Sequence, residues 1–342
     1  MELAVLLTNG RNKGASDIHL LPGEYPVYRI NGRLLREPGE KITKDRLMKF
    51  LGELLPEEKR ACFLREKEAD FAWTDEACHR YRINAHFQRG NPALSIRILK
   101  DKIPPLADLG LPDSVKDLLN QESGLILVTG ATGSGKSTTL AAMVEELNIS
   151  ESLNIITMED PVEYVFESKN SIIRQREIGS DTDSFRSALK SALRQDPDVI
   201  LVGEMRDLES IEAVITIAET GHLVLGTLHT MGAVAAVDRI IDVFPEEKQN
   251  QIRLQISGIL RGILNQRLIP GTDGRLVLAC EILLNTSAVA SYILQGKTNQ
   301  IPSVLETGRK SGMISMDRAL ENLYKNHKIS QKEYEKHRRI IL

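Results

Sequence analysis

The run Gly124-Leu125-Ile126-Leu127-Val128-Thr129-Gly130-Ala131-Thr132-Gly133-Ser134-Gly135-Lys136-Ser137-Thr138-Thr139-Leu140-Ala141-Ala142-Met143 decides the fold of this 342-residue chain. Residues 124–129 form a short apolar stretch of the length of a buried strand. Residues 130–137 fit G-x-x-x-x-G-K-[ST] without a mismatch, and the sequence then turns helical. Glycines let a backbone wrap closely around phosphate oxygens, while successive N–H groups and the helix N-terminus supply positive potential. In such a loop Lys136 reaches the β- and γ-phosphates and the Ser137 hydroxyl is placed for a metal. Gly130, Ala131, Thr132, Gly133, Ser134, Gly135, Lys136, Ser137 and Thr138 are therefore the candidate nucleotide-binding residues, with ATP and Mg²⁺ as the implied ligands.

Further apolar strands are expected downstream at residues 154–158, 198–202 and 222–228, with helical segments between them. Alternating strands and helices predict a largely parallel sheet covered on both faces. From Pro245 onward the pattern reads as mainly helical. Upstream, residues 1–100 read as a small α+β domain. It has a strand over 16–20, a hairpin turning at Asn31-Gly32, helix over 43–66 and two strands over 81–87 and 93–99. Residues 101–112 hold Pro104, Pro105, Gly110 and Pro112, which break both periodicities and read as a linker and hinge. The fold class is α/β, with the P-loop domain over 113–342.

Composition sets limits. Lys and Arg total 44 against 47 Asp and Glu, a net charge of −3, and 42% of residues are hydrophobic. That is ordinary globular composition and argues against a surface built to track nucleic-acid phosphates. Cys62, Cys78 and Cys280 form no C-x-x-C pair and read as small apolar core residues in a reducing compartment. The N-terminus lacks the basic start of a signal peptide, and no 18-residue apolar run is present.

Three further stretches carry chemistry. Asp198-Val199-Ile200-Leu201-Val202-Gly203-Glu204 is an apolar strand ending in an acid, and open α/β sheets bind ligands at the carboxyl ends of their strands. Glu204 is the candidate Mg²⁺ carboxylate, together with Ser137. Thr157-Met158-Glu159-Asp160-Pro161-Val162-Glu163-Tyr164 places acids just past another strand, where they could orient water or simply suit a helix start. His222 and His229 bracket a strand seven residues apart, which turns them to opposite faces. His229, at the carboxyl end, is the better functional candidate.

Together and in this order these stretches resemble the secretion ATPases of type II and type IV pilus systems. GATGSGKSTTLAAM (130–143) is similar to the family's Walker A, TMEDPVEY (157–164) to its Asp box, DPDVILVGEMRD (196–207) to its Walker B and ETGHLVLGTLHT (219–230) to its His box. The likeness extends to GASDIHL (14–20), RYRINAHFQRG (80–90) and KTNQIPSVLETG (297–308), covering nearly the whole chain. The short N-terminal domain and the absent four-cysteine knuckle resemble the twitching-motility retraction branch. One stretch departs from it. Ala288-Val289-Ala290-Ser291-Tyr292-Ile293-Leu294-Gln295 lacks the two arginines and the glutamate usual in the matching helix of that branch.

The resemblance implies a PAS-like N-terminal domain and a RecA-like ATPase domain with a helical C-terminal part, assembled as a homohexamer with nucleotide between the domains. It implies a cytoplasmic motor that works through an inner-membrane pilus platform protein, without nucleic acid and without membrane contact of its own. Lys136 and Glu204 would act in catalysis, Glu163 would polarise the attacking water, His229 would sense the γ-phosphate, and Arg82 and Arg97 would reach the phosphates. The alternatives are a pilus extension or secretion motor, a nucleic-acid motor on the same core, and a nucleotide-gated subunit without turnover.

Overall fold

The computed structural model describes residues 2–30, 32–99 and 102–338. Asn31 of the expected hairpin turn, the boundary at 100 and 101, and residues 339–342 lie outside them. The chain divides into two compact units, residues 1–102 with 161–165, and residues 103–160 with 166–342.

The first unit carries α1 (Leu3–Asn12), β1 (Ala15–Leu20), β2 (Val27–Ile30), β3 (Arg33–Arg36), α2 (Lys44–Leu54), α3 (Glu57–Glu66), β4 (Glu68–Thr74), β5 (Arg80–Gln88) and β6 (Asn91–Ile98). Its six strands form an antiparallel sheet in the order β3-β2-β1-β6-β5-β4. Leu3, Leu6 and Leu7 of α1 and Leu47, Phe50 and Leu51 of α2 recur at helical spacing and fill its core with Ile18, Ile83 and Ile96. The single helix expected over 43–66 is two helices. Leu55 is extended ahead of Pro56, as the residue before proline tends to be. Neither α1 nor β4 was expected.

The second unit continues with α4 (Ser114–Leu119), β7 (Gly124–Thr129), α5 (Lys136–Ser150), β8 (Asn154–Glu159), β9 (Ile172–Glu177), α6 (Phe185–Ala192), β10 (Val199–Val202), α7 (Leu208–Glu219), β11 (Leu223–Leu228), α8 (Ala233–Asp242) and α9 (Glu246–Ile259). Then come β12 (Leu260–Pro270), β13 (Leu276–Leu284), α10 (Ser287–Leu294), α11 (Ile301–Thr307), α12 (Met316–Lys325) and α13 (Gln331–Arg338). The sheet order is β13-β12-β7-β11-β10-β8-β9, parallel except for β13. Side chains alternate between two cores. Leu125, Leu127, Ile200, Val202 and Val224 enter the one shared with α7, α8 and α9. Ile126, Val128, Val199, Leu201 and Leu225 enter the one shared with α4 and α5. Burying each such side chain contributes about 1.5–3 kcal/mol, which is why these strands are apolar throughout rather than alternating.

The mainly helical pattern expected from Pro245 is interrupted by the long β12–β13 hairpin, which joins β12 to β7. The proline-rich segment expected as a linker packs on the second unit, with Leu106 buried among its core residues. Of the three free cysteines only Cys280 is buried, while Cys78 is exposed in a turn at φ +63°.

Candidate nucleotide site

The site is built where the parallel strands end. At the close of β7, Gly130 adopts φ +139°, and a Cβ there would come within 2.4 Å of the Gln266 carbonyl oxygen. Only glycine allows this approach of loop to strand. Gly135, at φ +93°, opens α5 with no side chain capping it, which leaves the helix N-terminus facing the loop. Ser134 Oγ is buried there without a hydrogen-bond partner. A glycine-rich turn, a helix N-terminus and a lysine suit a phosphate chain.

Lys136 Nζ donates to the carbonyl oxygens of Gly130 at 2.9 Å and Ala131 at 3.0 Å, and lies 3.2 Å from His229 Nδ1. An ammonium can only donate, so Nδ1 accepts and the neutral ring carries its proton on Nε2. Nε2 is 3.2 Å from Glu204 Oε1. Arg206 closes the row with a fork. Its Nη2 donates to Glu204 Oε2 at 2.7 Å, and its Nε lies 2.7 Å from Oε1. Burial pushes the Glu204 carboxyl up, but the Arg206 hydrogen bonds and the nearby His229 outweigh it and hold the group below its ordinary range. The same pairing raises Arg206.

Lys136, His229 and Glu204 are thus brought together as expected from their places at strand ends. Ser137 sits exposed in the first turn of α5. Among the described residues no cluster of three or more His, Cys, Asp or Glu side chains could hold a metal alone. Ser137 and Glu204 are hard oxygen donors of the kind Mg²⁺ uses when phosphates supply its remaining ligands. Glu159 is engaged elsewhere, accepting from Thr157 Oγ1 at 2.6 Å and from Gln175 Nε2 at 3.3 Å.

Glu163, Arg82 and Arg97 belong to the first unit. Arg82 and Arg97 are cross-strand neighbours on β5 and β6, and Arg97 Nε donates to Asp17 Oδ1 at 3.1 Å. His222 lies at the far end of β11, its Nδ1 near Thr220 Oγ1 at 3.1 Å and the Ile217 carbonyl at 3.2 Å. It is a satisfied polar residue, away from the loop.

Sequence reasoning passed over Arg206, whose place two residues after Glu204 was the available signal. It also missed Asn265 and Gln266, buried polar residues on β12. Asn265 Nδ2 donates to Thr129 Oγ1 at 2.9 Å and Gln266 Nε2 to Thr139 Oγ1 at 2.8 Å, bracing the strand and the helix on either side of the loop. A cleft of about 220 Å³ runs beside the loop, walled by Met231, Gln266, Leu268 and His337.

The family described as Type II/IV secretion system protein matches residues 4–340. The chain belongs to this family. It is 45% identical over 323 residues to uncharacterized protein YggR of Escherichia coli K12, covering 94% of this chain and 97% of that one. It is 40% identical over 331 residues to the type IV pilus retraction ATPase PilT of Pseudomonas aeruginosa PAO1, covering 97% and 96%. The crystal structure of the pilus retraction motor PilT with bound ADP is similar at a TM-score of 0.91 and 42% identity, over 98% of this chain and 96% of that one. A secretion-family ATPase with its phosphate loop, lysine and strand-end carboxylate in place is an ATP-hydrolysing enzyme, and its second unit is the RecA-like core.

Proposed function

We propose that this secretion-family ATPase is a homohexameric motor that drives retraction of type IV pili. It works in the cytoplasm through an inner-membrane platform protein, with no nucleic acid in its cycle. The observation that carries this reading is the Lys136–His229–Glu204 row at the phosphate loop, in a chain similar along almost its whole length to PilT. No described helix is long and apolar enough to cross a membrane, consistent with contact through a partner.

Phosphoryl transfer needs positioning and charge stabilisation more than covalent chemistry. Lys136 neutralises the β- and γ-phosphates. Ser137 and Glu204 would hold Mg²⁺, which would screen the phosphate oxygens when bound. For that, Glu204 must give up part of its fork with Arg206. Glu163 polarises the attacking water. As the γ-phosphate draws Lys136 away, His229 Nδ1 loses its donor, which makes His229 the sensor of phosphate. Arg82 and Arg97 reach the phosphates, and Arg97 must then leave Asp17. Residues 1–100 act as the PAS-like domain, residues 101–112 as the hinge and residues 113–342 as the motor domain.

The test is made in cells and in solution. A piliated strain lacking its retraction ATPase is complemented with this chain or its Glu204→Gln variant, and pilus retraction is filmed. Light scattering on the purified protein with ATP reads the assembly. A hexamer, with retraction restored only by the wild type, is the expected result. Pili that lengthen but never retract would reverse the direction of force, an outcome the altered 288–295 stretch makes worth scoring. A monomer would overturn the ring.

A further inference from the structure

The stretch from His229 to α8 is gripped from behind at both of its ends. Asn265 Nδ2 donates to the Thr230 carbonyl at 3.2 Å as well as to Thr129. Four residues past His229, the Ala233 N–H donates to Glu281 Oε1 at 2.9 Å. Asn265 and Glu281 are paired in register across β12 and β13, so they stand side by side on one face of the hairpin. The second Glu281 oxygen accepts from the Met316 N–H at 3.4 Å, at the start of α12. Neither helix has a cap of its own. Gly232 has no side chain to offer α8, and Ser315 makes no capping bond to α12. One carboxylate therefore supplies the missing acceptor to both helix starts, where a negative charge is favoured.

Nothing in the mechanism uses Glu281, yet a partly buried carboxylate on an otherwise apolar strand is costly. We propose that Glu281, with Asn265 beside it, is a positioning residue: it holds the His229 turn in register with the phosphate loop and ties that turn to α12. The inference rests on the reading of His229 as the phosphate sensor. Without Glu281 the turn keeps the Asn265 bond at Thr230, the α8 start loses its acceptor, and His229 can drift from Lys136 and Glu204. A displacement of about 1 Å at such a site is enough for a roughly 100-fold loss of rate.

The experiment is a double-mutant cycle read by MgATP turnover, with hydrogen exchange on the same samples. Glu281→Ala is expected to lower kcat by about 10- to 100-fold with little change in KM, and to speed exchange of the 230–236 amides but not those of β7. On a His229→Ala background it should lower kcat no further, because the group it positions is gone. Glu281→Gln keeps one acceptor oxygen for Ala233 and should recover most of the rate. An equal loss on both backgrounds would overturn the proposal, as would unchanged exchange at 230–236. A Gln variant as impaired as the Ala variant would assign Glu281 to α12 alone and equally overturn it. If wild type shows no turnover, the reading of the site fails first, and the exchange of 230–236 still decides whether Glu281 holds the turn.

Discussion

The two ends of β11 carry the same residue in different company. At the amino end His222 leans on Thr220 and the Ile217 carbonyl, local partners within five residues. At the carboxyl end His229 stands between Lys136, on α5, and Glu204, just past β10. The strand between them is buried throughout, and of the two histidines it is His222 that is half-buried while His229 is exposed, so burial does not mark the functional end. The difference is topological. In a parallel sheet the loops at the carboxyl ends converge, and only there can groups distant in sequence form one charged row.

The largest effect is expected at the lysine. Lys136→Ala should weaken ATP binding by about 100-fold, measured by calorimetry, because charge-assisted bonds to phosphate contribute about 1.5–3 kcal/mol each. Unchanged affinity would remove the loop from the site. Gly130→Ala should destabilise the second unit by about 2–4 kcal/mol in a denaturant titration, since the new Cβ meets the Gln266 backbone and φ +139° disfavours it. The histidine pair sharpens the contrast. His229→Ala is expected to cost about 10- to 100-fold in turnover, against less than about 2-fold for His222→Ala. Comparable losses would mean that the two ends are not functionally distinct.

Two carboxylates extend the contrast to pH. Glu204 is held low, burial being outweighed by Arg206 and His229. Its contribution to stability is present above the ordinary carboxylate range and is lost as pH falls through the depressed folded value. Glu281 is raised, chiefly by burial, which the Ala233 and Met316 N–H groups and nearby Arg267 offset only in part, while Glu306 adds to the rise. The folded state then binds more protons than the unfolded one, so stability falls as pH rises from the ordinary range through the raised value. Melting curves across this window should show wild type losing ground to Glu281→Gln with rising pH and to Glu204→Gln with falling pH. The smallest effect is expected at Arg97. Its exposed pair with Asp17 is worth at most about 1 kcal/mol, so Arg97→Ala should scarcely move the melting temperature. A fall in turnover with stability unchanged would support its proposed reach to phosphate.

What the sequence revealed follows the same division. The phosphate loop and Glu204 were legible because their chemistry lies in consecutive residues next to an apolar strand. His229 was legible because strand period and strand end together mark it. Glu163, Arg82 and Arg97 were chosen by resemblance, and their places in the first unit leave their roles to experiment. The β12–β13 hairpin was illegible for a physical reason. Leu260, Ile263 and Leu264 are spaced as on a helix, and β12 is buried over most of its length, so no period of two appears. Asn265, Gln266 and Glu281 were hidden with it, since their partners Thr129, Thr139 and Ala233 lie 48 to 136 residues away. Arg206 was in view beside Glu204, and its fork became meaningful only as geometry.

The most direct test is Mg²⁺-dependent ATP turnover of three proteins side by side: wild type, Glu204→Gln and His222→Ala. Turnover is expected to fall by about 10²- to 10³-fold with Glu204→Gln and to survive His222→Ala. Turnover that persists in Glu204→Gln, or that is lost in His222→Ala with the fold intact, would contradict the claim that the carboxyl end of the sheet carries the chemistry.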